Sequence, residues 1–312
     1  MDRVRLRRVI ALVLAAACWG GGTAVSKQAI AELPPLTLLA IQLATSVAFL
    51  LVVVRLRGER LPRGREGRLL GRLGLLNPGI AYALSLIGLT TITASLSVLL
   101  WAFEPILILG LAAVVLGERI GVGLLVGSLI AVGGITLVLF DPSATGSLVG
   151  VSLTIAGVAA CAIYTIASRR WLLGSDSTFG IVLAQQLHAL GLALVVVVAV
   201  VAAGGSVWPT SLSPVGALSA VASGLLYYAF AYSLYISALR RVRASIAAAS
   251  FYLIPVFGVA VAATFGEHLE PIQWVGAVLV VGAVTVITIR AARPAEGAGV
   301  ATPAGAPIDS QA

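Results

Sequence analysis

Long apolar runs, each closed by a short polar break, follow one another along almost the whole chain. Ten of them, over residues 9–31, 36–54, 73–91, 93–117, 122–140, 148–167, 179–203, 215–239, 244–266 and 272–289, come to about the 20 residues that a helix needs to cross a bilayer. The pattern predicts an all-α integral membrane protein with ten transmembrane helices. The third and fourth runs are parted only by "TTIT". The last stretch, residues 291–312, is rich in Ala, Gly and Pro and is expected to be a disordered tail.

Composition agrees. The 312 residues are 60% hydrophobic and 10% charged, where a soluble domain carries about 25% charged residues. One water-soluble core cannot hide so much apolar surface. The opening "MDRVRLRRVIALVLAAAC" imitates a signal peptide, but the apolar run continues past Cys18 to Ile30, so an uncleaved first helix is expected. Cys18 and Cys161 both sit inside apolar runs and read as small packing residues.

Charge then gives direction. With the N-terminus in the cytoplasm, all 19 arginines fall in cytoplasmic segments, seven of them between Arg55 and Arg72, and only Lys27 falls on the other side. This is the positive-inside pattern. It puts both termini in the cytoplasm at the cell membrane and accounts for the net charge of +8 without a nucleic-acid partner.

The chain also repeats itself at a spacing near 150. "AYAL" at 81–84 returns as "AYSL" at 231–234, Ala94 and Ser95 as Ala244 and Ser245, Pro105 as Pro255, and "GE" at 117–118 as "GE" at 266–267. Gly127 and Gly133 match Gly276 and Gly282. The chain divides into a short cytoplasmic N-terminus (1–8), a first five-helix repeat (9–140), a linker (141–147) and a second repeat (148–290). Five is odd, so the second copy enters the membrane from the opposite face. Loop charges follow: the loop after the second run has seven arginines, and its counterpart "GGSVWPTSLSP" has none. Inverted repeats are a construction of secondary transporters, with substrate held between the halves.

The paired halves, together with "CWGGGTAVSK" in the first run, "PPLTLLAIQLA" in the second, "AS…P…GE" in the fourth and ninth and "FGEHLEPIQWVGAVLVVGAV" at the end, resemble the drug/metabolite transporter superfamily, EamA type. The resemblance covers residues 9 to 290. It implies a ten-helix basket that moves small metabolites, often amino acids, by alternating access. Gln42 stands where many such proteins carry a basic residue, and the Pro-to-GE spacing in the ninth run is one residue short.

Candidate site residues follow from chemistry placed in the membrane. Glu104 lies near the middle of its run, where an ionisable group is costly and marks function. It is expected to bind a proton or a substrate ammonium, or else to be a protonated structural acid bonded to a neighbouring helix, for example to Gln186 or a tyrosine. Pro105 and Pro255 free the carbonyls of Trp101 and Phe251, as static kinks or as gating hinges. His188, with Gln185 and Gln186 beside it, is a candidate proton relay or a plain packing histidine. Trp19, Gln42, Tyr82, Trp101, Tyr228, Tyr232 and Tyr252 are candidates to line a cavity. Lys27 is about 27 Å along its helix from Val9, near the outer surface, where it either snorkels to water or meets a substrate carboxylate. Glu118 and Glu267 read as helix-terminal, and the GxxxG of Gly123 and Gly127, with Gly133 and Gly134, as close helix packing. No Walker A loop, HExxH or metal-ligand spacing is present, so neither cofactor nor metal is expected. The chain is expected to export a small polar or amphipathic metabolite, an amino acid or a related compound, with protons as the candidate coupling ion. An intramembrane enzyme or a non-transporting scaffold are the competing readings.

Overall fold

The computed structural model describes residues 3–89, 91–92, 94–139, 146–172, 177–209, 211–264 and 270–292, leaving out the side chains of residues 3–5, 27, 86, 89, 94–95, 98–99, 259, 262 and 290–292. Glu267 and most of the linker and tail therefore lie outside the described residues.

The helices are α1 (Arg3–Ile30), α2 (Pro35–Leu56), α3 (Gly64–Gly74), α4 (Ala81–Leu89), α5 (Ala94–Trp101), α6 (Glu104–Leu116), α7 (Val122–Val138), α8 (Leu148–Trp171), α9 (Thr178–Ala202), α10 (Pro214–Gly224), α11 (Ala231–Leu239), α12 (Ala244–Ala249), α13 (Leu253–Thr264) and α14 (Pro271–Ala292). No strand occurs among the described residues beyond an isolated bridge between Ile92 and Gly146. Six stretches among the described residues are long and apolar enough to cross a membrane unaided: Leu6–Ile30, Pro35–Leu56, Leu148–Trp171, Thr178–Ala202, Pro214–Leu239 and Pro271–Ile289.

The sequence pattern predicts unbroken spans where the chain makes interrupted ones. A π turn over Leu75–Ile80 joins α3 to α4, and another over Leu225–Phe230 joins α10 to α11, 150 residues later. Helix α5 stops at Trp101 and α6 starts at Glu104. A 3-10 turn over Ser250–Tyr252 separates α12 from α13. Helix α3 also begins nine residues before the predicted span at residue 73. It holds Arg65, Arg68 and Arg72, which broke the apolar run. In the fold these three are exposed on one face, while Leu70, Gly71 and Gly74 bury the other against α9.

Helix starts follow a local rule. Ser147, Ser177 and Ser213 each accept a 3.0 Å hydrogen bond from the N–H three residues on, at Gly150, Gly180 and Gly216. Each satisfies one of the donors that a helix N-terminus leaves free. Gly117 ends α6 at φ 64°, a left-handed conformation that a Cβ would disfavour.

Packing respects the repeat. Helix α1 packs on α13 as α8 packs on α6, α4 on α8 as α11 on α1, and α3 on α9 as α10 on α2. Helix α2 meets its own counterpart α9, and α7 meets α14. The α7–α14 crossing is close: a Cβ on Gly134 would stand 2.9 Å from the Gly276 carbonyl oxygen, and one on Gly276 would stand 2.8 Å from the Val138 nitrogen. Gly127 also serves this contact, facing Ile287, whereas Gly133 and Gly282 face open space.

Three acids of the first half tie down helix starts of the second. Glu32 accepts from Ser213 N at 2.6 Å and Ser213 Oγ at 2.7 Å at the head of α10. Glu59 accepts from Ser177 Oγ at 2.7 Å and Phe179 N at 3.1 Å at the head of α9. Glu118 accepts from Ala244 N at 2.7 Å, Ser245 N at 3.1 Å and the Ser245 hydroxyl at the head of α12. Carboxylates suit these places because helix N-termini carry unsatisfied N–H groups and a positive field.

Candidate functional site

The helix interruptions converge on a cavity of about 410 Å³. Trp19 and Ser26 of α1, Gln42 of α2, Asn77 of the first π turn, Tyr82 of α4, Trp101 and Glu104 of α5 and α6, Cys161 of α8, Tyr228 of the second π turn, and Tyr252 and Pro255 near the 3-10 turn all line it. Both repeats thus contribute. The lining reaches Ile30, Pro35 and Leu139 at one end. Toward the arginine-rich end, Trp19 stands edge-on to Tyr235 and Phe251 at 5.4 and 5.3 Å, over the packed core of Leu12, Ala15 and Leu43.

Breaks in regular structure free backbone groups and turn side chains inward, which explains why the site lies there. At the first π turn Asn77 leaves helical geometry (φ −145°, ψ 122°), and its side-chain oxygen accepts from Tyr232 OH at 3.0 Å. Pro105 is the second residue of α6, and not an interior kink as the sequence suggests. A first-turn proline costs little, because its missing N–H would have had no partner there. The acid and the proline are therefore the start of a helix built inside an apolar span.

Glu104 is 8% exposed and has no hydrogen-bond or ion-pair partner among the described residues. Cys161, Tyr227 and Tyr235 are its electrostatic neighbours. The tyrosine hydroxyls around it donate elsewhere: Tyr82 to Tyr227 OH at 2.9 Å, Tyr164 to Gln185 at 2.9 Å, and Tyr232 to Asn77. Tyr82 and Trp101 stack with centroids 5.6 Å apart, and Tyr228 and Tyr232 stack at 6.1 Å. The indole N–H of Trp19 and the hydroxyls of Ser85 and Tyr252, all on the lining, have no partner among the described residues.

Of the residues singled out in the sequence, the cavity gathers Trp19, Gln42, Tyr82, Trp101, Glu104, Pro105, Tyr228, Tyr232, Tyr252 and Pro255. Gln42 Nε2 donates to Ser26 Oγ at 2.9 Å and to Ser223 Oγ at 2.8 Å, tying α1, α2 and α10 together. Gln186 stands apart, fully buried, accepting from Ser46 and donating to the Tyr228 carbonyl. It joins helices and does not reach Glu104 as a neighbour. His188 is exposed on the outside of α9, its Nδ1 2.7 Å from the Ala184 carbonyl oxygen and its ring against Gly71 of α3. It is not among the lining residues: at about 100° per residue it stands roughly 110° around the helix from the middle of the buried face carried by Gln185 and Gln186. The Lys27 side chain lies outside the described residues. Asn77 and Cys161 line the cavity although the sequence reading used neither as a site residue. "NPG" inside an apolar run was the available signal for Asn77. Among the described residues no group of three or more His, Cys, Asp or Glu is placed to hold a metal.

Comparison with known proteins agrees with this architecture. Among solved structures 29 chains match. One, described as "Crystal structure of protein", superposes with a TM-score of 0.76 over 90% of this chain and 96% of its own, at 20% identity. That likeness concerns the fold alone. No curated protein matches. The EamA-like transporter family matches twice, over residues 6–140 and 148–289, the same two halves that share the cavity. The chain belongs to the EamA-like transporter family, a family of membrane transporters.

Proposed function

We propose that this protein exports a small metabolite, an amino acid or a related polar or amphipathic compound, across the cell membrane by alternating access. The interrupted pairs α3–α4, α5–α6, α10–α11 and α12–α13 each act as one span, giving ten spans in two inverted five-helix repeats with both termini in the cytoplasm. The arginine-rich end is then cytoplasmic, and the cavity is in its outward-facing form. One observation carries this reading: a cavity lined by both repeats, reaching one end of the molecule and closed toward the other. A pseudo-symmetric pair that holds its site at the interface can exchange which end is closed by exchanging the shapes of its halves.

Glu104 is the proton-coupling residue in this reading. Its carboxyl sits at the start of α6, facing the cavity. Reconstitution into liposomes with an imposed pH gradient tests the proposal: the wild-type chain accumulates a labelled substrate, while Glu104→Gln loses gradient-driven accumulation. Full accumulation by the Gln variant removes Glu104 from coupling. Absence of any flux for amino acids and amines in the wild-type chain removes transport.

A further inference from the structure

The cavity also carries a statement about charge. We infer that its ligand is an organic monocation: an ammonium on a flat apolar body, with no carboxylate of its own. This rests on the transport reading and narrows it, since amino acids and amines both fall within that reading.

The first observation is Glu104 itself. It is more than nine-tenths buried, lines the cavity and lacks a hydrogen-bond or ion-pair partner among the described residues. A buried carboxylate without a partner is expensive, and a bound cation supplies the missing charge. The second observation is what surrounds it. No Arg, Lys or His is among the described lining residues, and the neighbouring groups are Cys161 of α8 with Tyr227 and Tyr235. Nothing cationic there would pair with a ligand carboxylate. The N–H groups of Gln42 are already spent on Ser26 and Ser223, and the amide of Asn77, whose Oδ1 accepts from Tyr232, is neutral. The buried donors left unpartnered among the described lining residues, Trp19 Nε1, Ser85 Oγ and Tyr252 OH, are neutral and match a hydroxyl or carbonyl on a ligand, not a full negative charge.

The third observation is aromatic. The stacked Tyr82 and Trp101, and the edge-to-face group of Trp19, Tyr232 and Phe251, offer π faces and apolar walls. Ring faces attract ammonium groups, and Trp attracts them best. The fourth observation is a broken symmetry. The prolines recur at a spacing of 150, but the residue before the second one is Ile254, which also lines the cavity. The fold therefore builds this helix start with or without an acid. The charge is an addition to one repeat only, and the repeat architecture does not require it.

The competing ligand is a zwitterion, an α-amino acid that carries a carboxylate beside its ammonium. The test uses the purified full-length chain in lipid nanodiscs and four probes of one shape: 2-phenylethylamine, phenylalanine, phenylacetate and 2-phenylethanol. Binding is read from the change in intrinsic tryptophan fluorescence, to which Trp19 and Trp101 on the lining contribute, and from the shift in melting temperature. The expected result is 2-phenylethylamine binding at least about tenfold tighter than the other three, with Glu104→Gln reducing it to the level of the alcohol. Phenylalanine binding as tightly as the amine, no binding of the amine at millimolar concentration, or unchanged binding by the Gln variant overturns the inference. The comparison of probes on the wild-type chain stands even if the variant fails to fold. Counterflow separates this inference from the transport reading. Exchange of phenylalanine but not of the amine defeats the cation class and leaves transport in place. Selective binding of the amine with no exchange of any probe does the reverse.

Discussion

At the scale of single residues, this chain places acids in two kinds of environment. Glu104 faces a cavity with no partner among the described residues, whereas Glu32, Glu59 and Glu118 each accept backbone N–H bonds at a helix start. For Glu59, desolvation pushes the carboxyl up, but hydrogen bonds from Ser177, Arg57, Gly180 and Phe179 outweigh it and hold it below the usual carboxylate range. For Glu32, the bonds from the Ser213 backbone and side chain do the same. A carboxyl depressed by folding contributes stability that is complete above its unfolded pKa, about 4.3 for Glu. That contribution is lost as pH falls through the lower folded value. The melting temperature of the protein in detergent is therefore expected to drop below about pH 4.3. Glu59→Gln should lower the melting temperature at pH 7 and flatten the acid limb of the curve. An unchanged acid limb in Glu59→Gln would leave that loss of stability to other groups.

At the scale of elements, glycine placement separates contact from exposure. Gly134 and Gly276 hold the α7–α14 crossing, and Gly133 and Gly282 face open space on the same two helices. Gly134→Leu and Gly276→Leu should each cost about 1–3 kcal/mol through overpacking. Gly133→Leu and Gly282→Leu should change the melting temperature little, and equal losses in all four would mean that the helices pack otherwise. Gly133 and Gly134 are adjacent in sequence, and an apolar run offers no polar side chains to say which face is which. For the same reason the sequence pattern located the apolar spans but not their internal breaks: the π turns at Leu75–Ile80 and Leu225–Phe230 are made of residues as apolar as their neighbours, "NPG" excepted. His188 shows the limit at the site. Depth along a helix is legible from rise per residue, but rotation about the axis is not when every face is apolar, and His188 turned out to face away from the cavity. Glu104 was legible because one carboxyl in such a run is conspicuous whichever way it faces. The structure adds that Pro105 opens α6 where an interior kink was expected. Pro105→Ala is thus expected to cost little stability, within about 1 kcal/mol. Its effect should fall on turnover, as should that of Pro255→Ala, and wild-type turnover in both would make them static features.

At the scale of the whole molecule, helix packing is nearly symmetric and the cavity is not. The main contacts that change places under the repeat come in pairs: α1 on α13 with α8 on α6, α4 on α8 with α11 on α1, α3 on α9 with α10 on α2. Two copies related by a two-fold axis in the membrane plane would put the same loop of each copy on opposite faces. The segment between α2 and α3 holds Arg57, Arg60 and Arg63, while the corresponding segment between α9 and α10 holds no basic residue. The positive-inside tendency then assigns the first to the cytoplasm and the second to the outside. Pro62 and Ser206 lie in these two segments, and Ser206 is exposed. In a chain with Cys18 and Cys161 replaced by alanine, cysteine introduced as Pro62→Cys should be protected from a membrane-impermeant maleimide in intact cells and react once the membrane is opened. Ser206→Cys should react in both. The comparison turns on the difference between the two sites, so the overall rate of reaction does not matter. Equal labelling of both positions in intact cells would place the two loops on one side. The halves would then be parallel repeats, and exchange of shape between them could not turn a cavity that reaches one face into one that reaches the other.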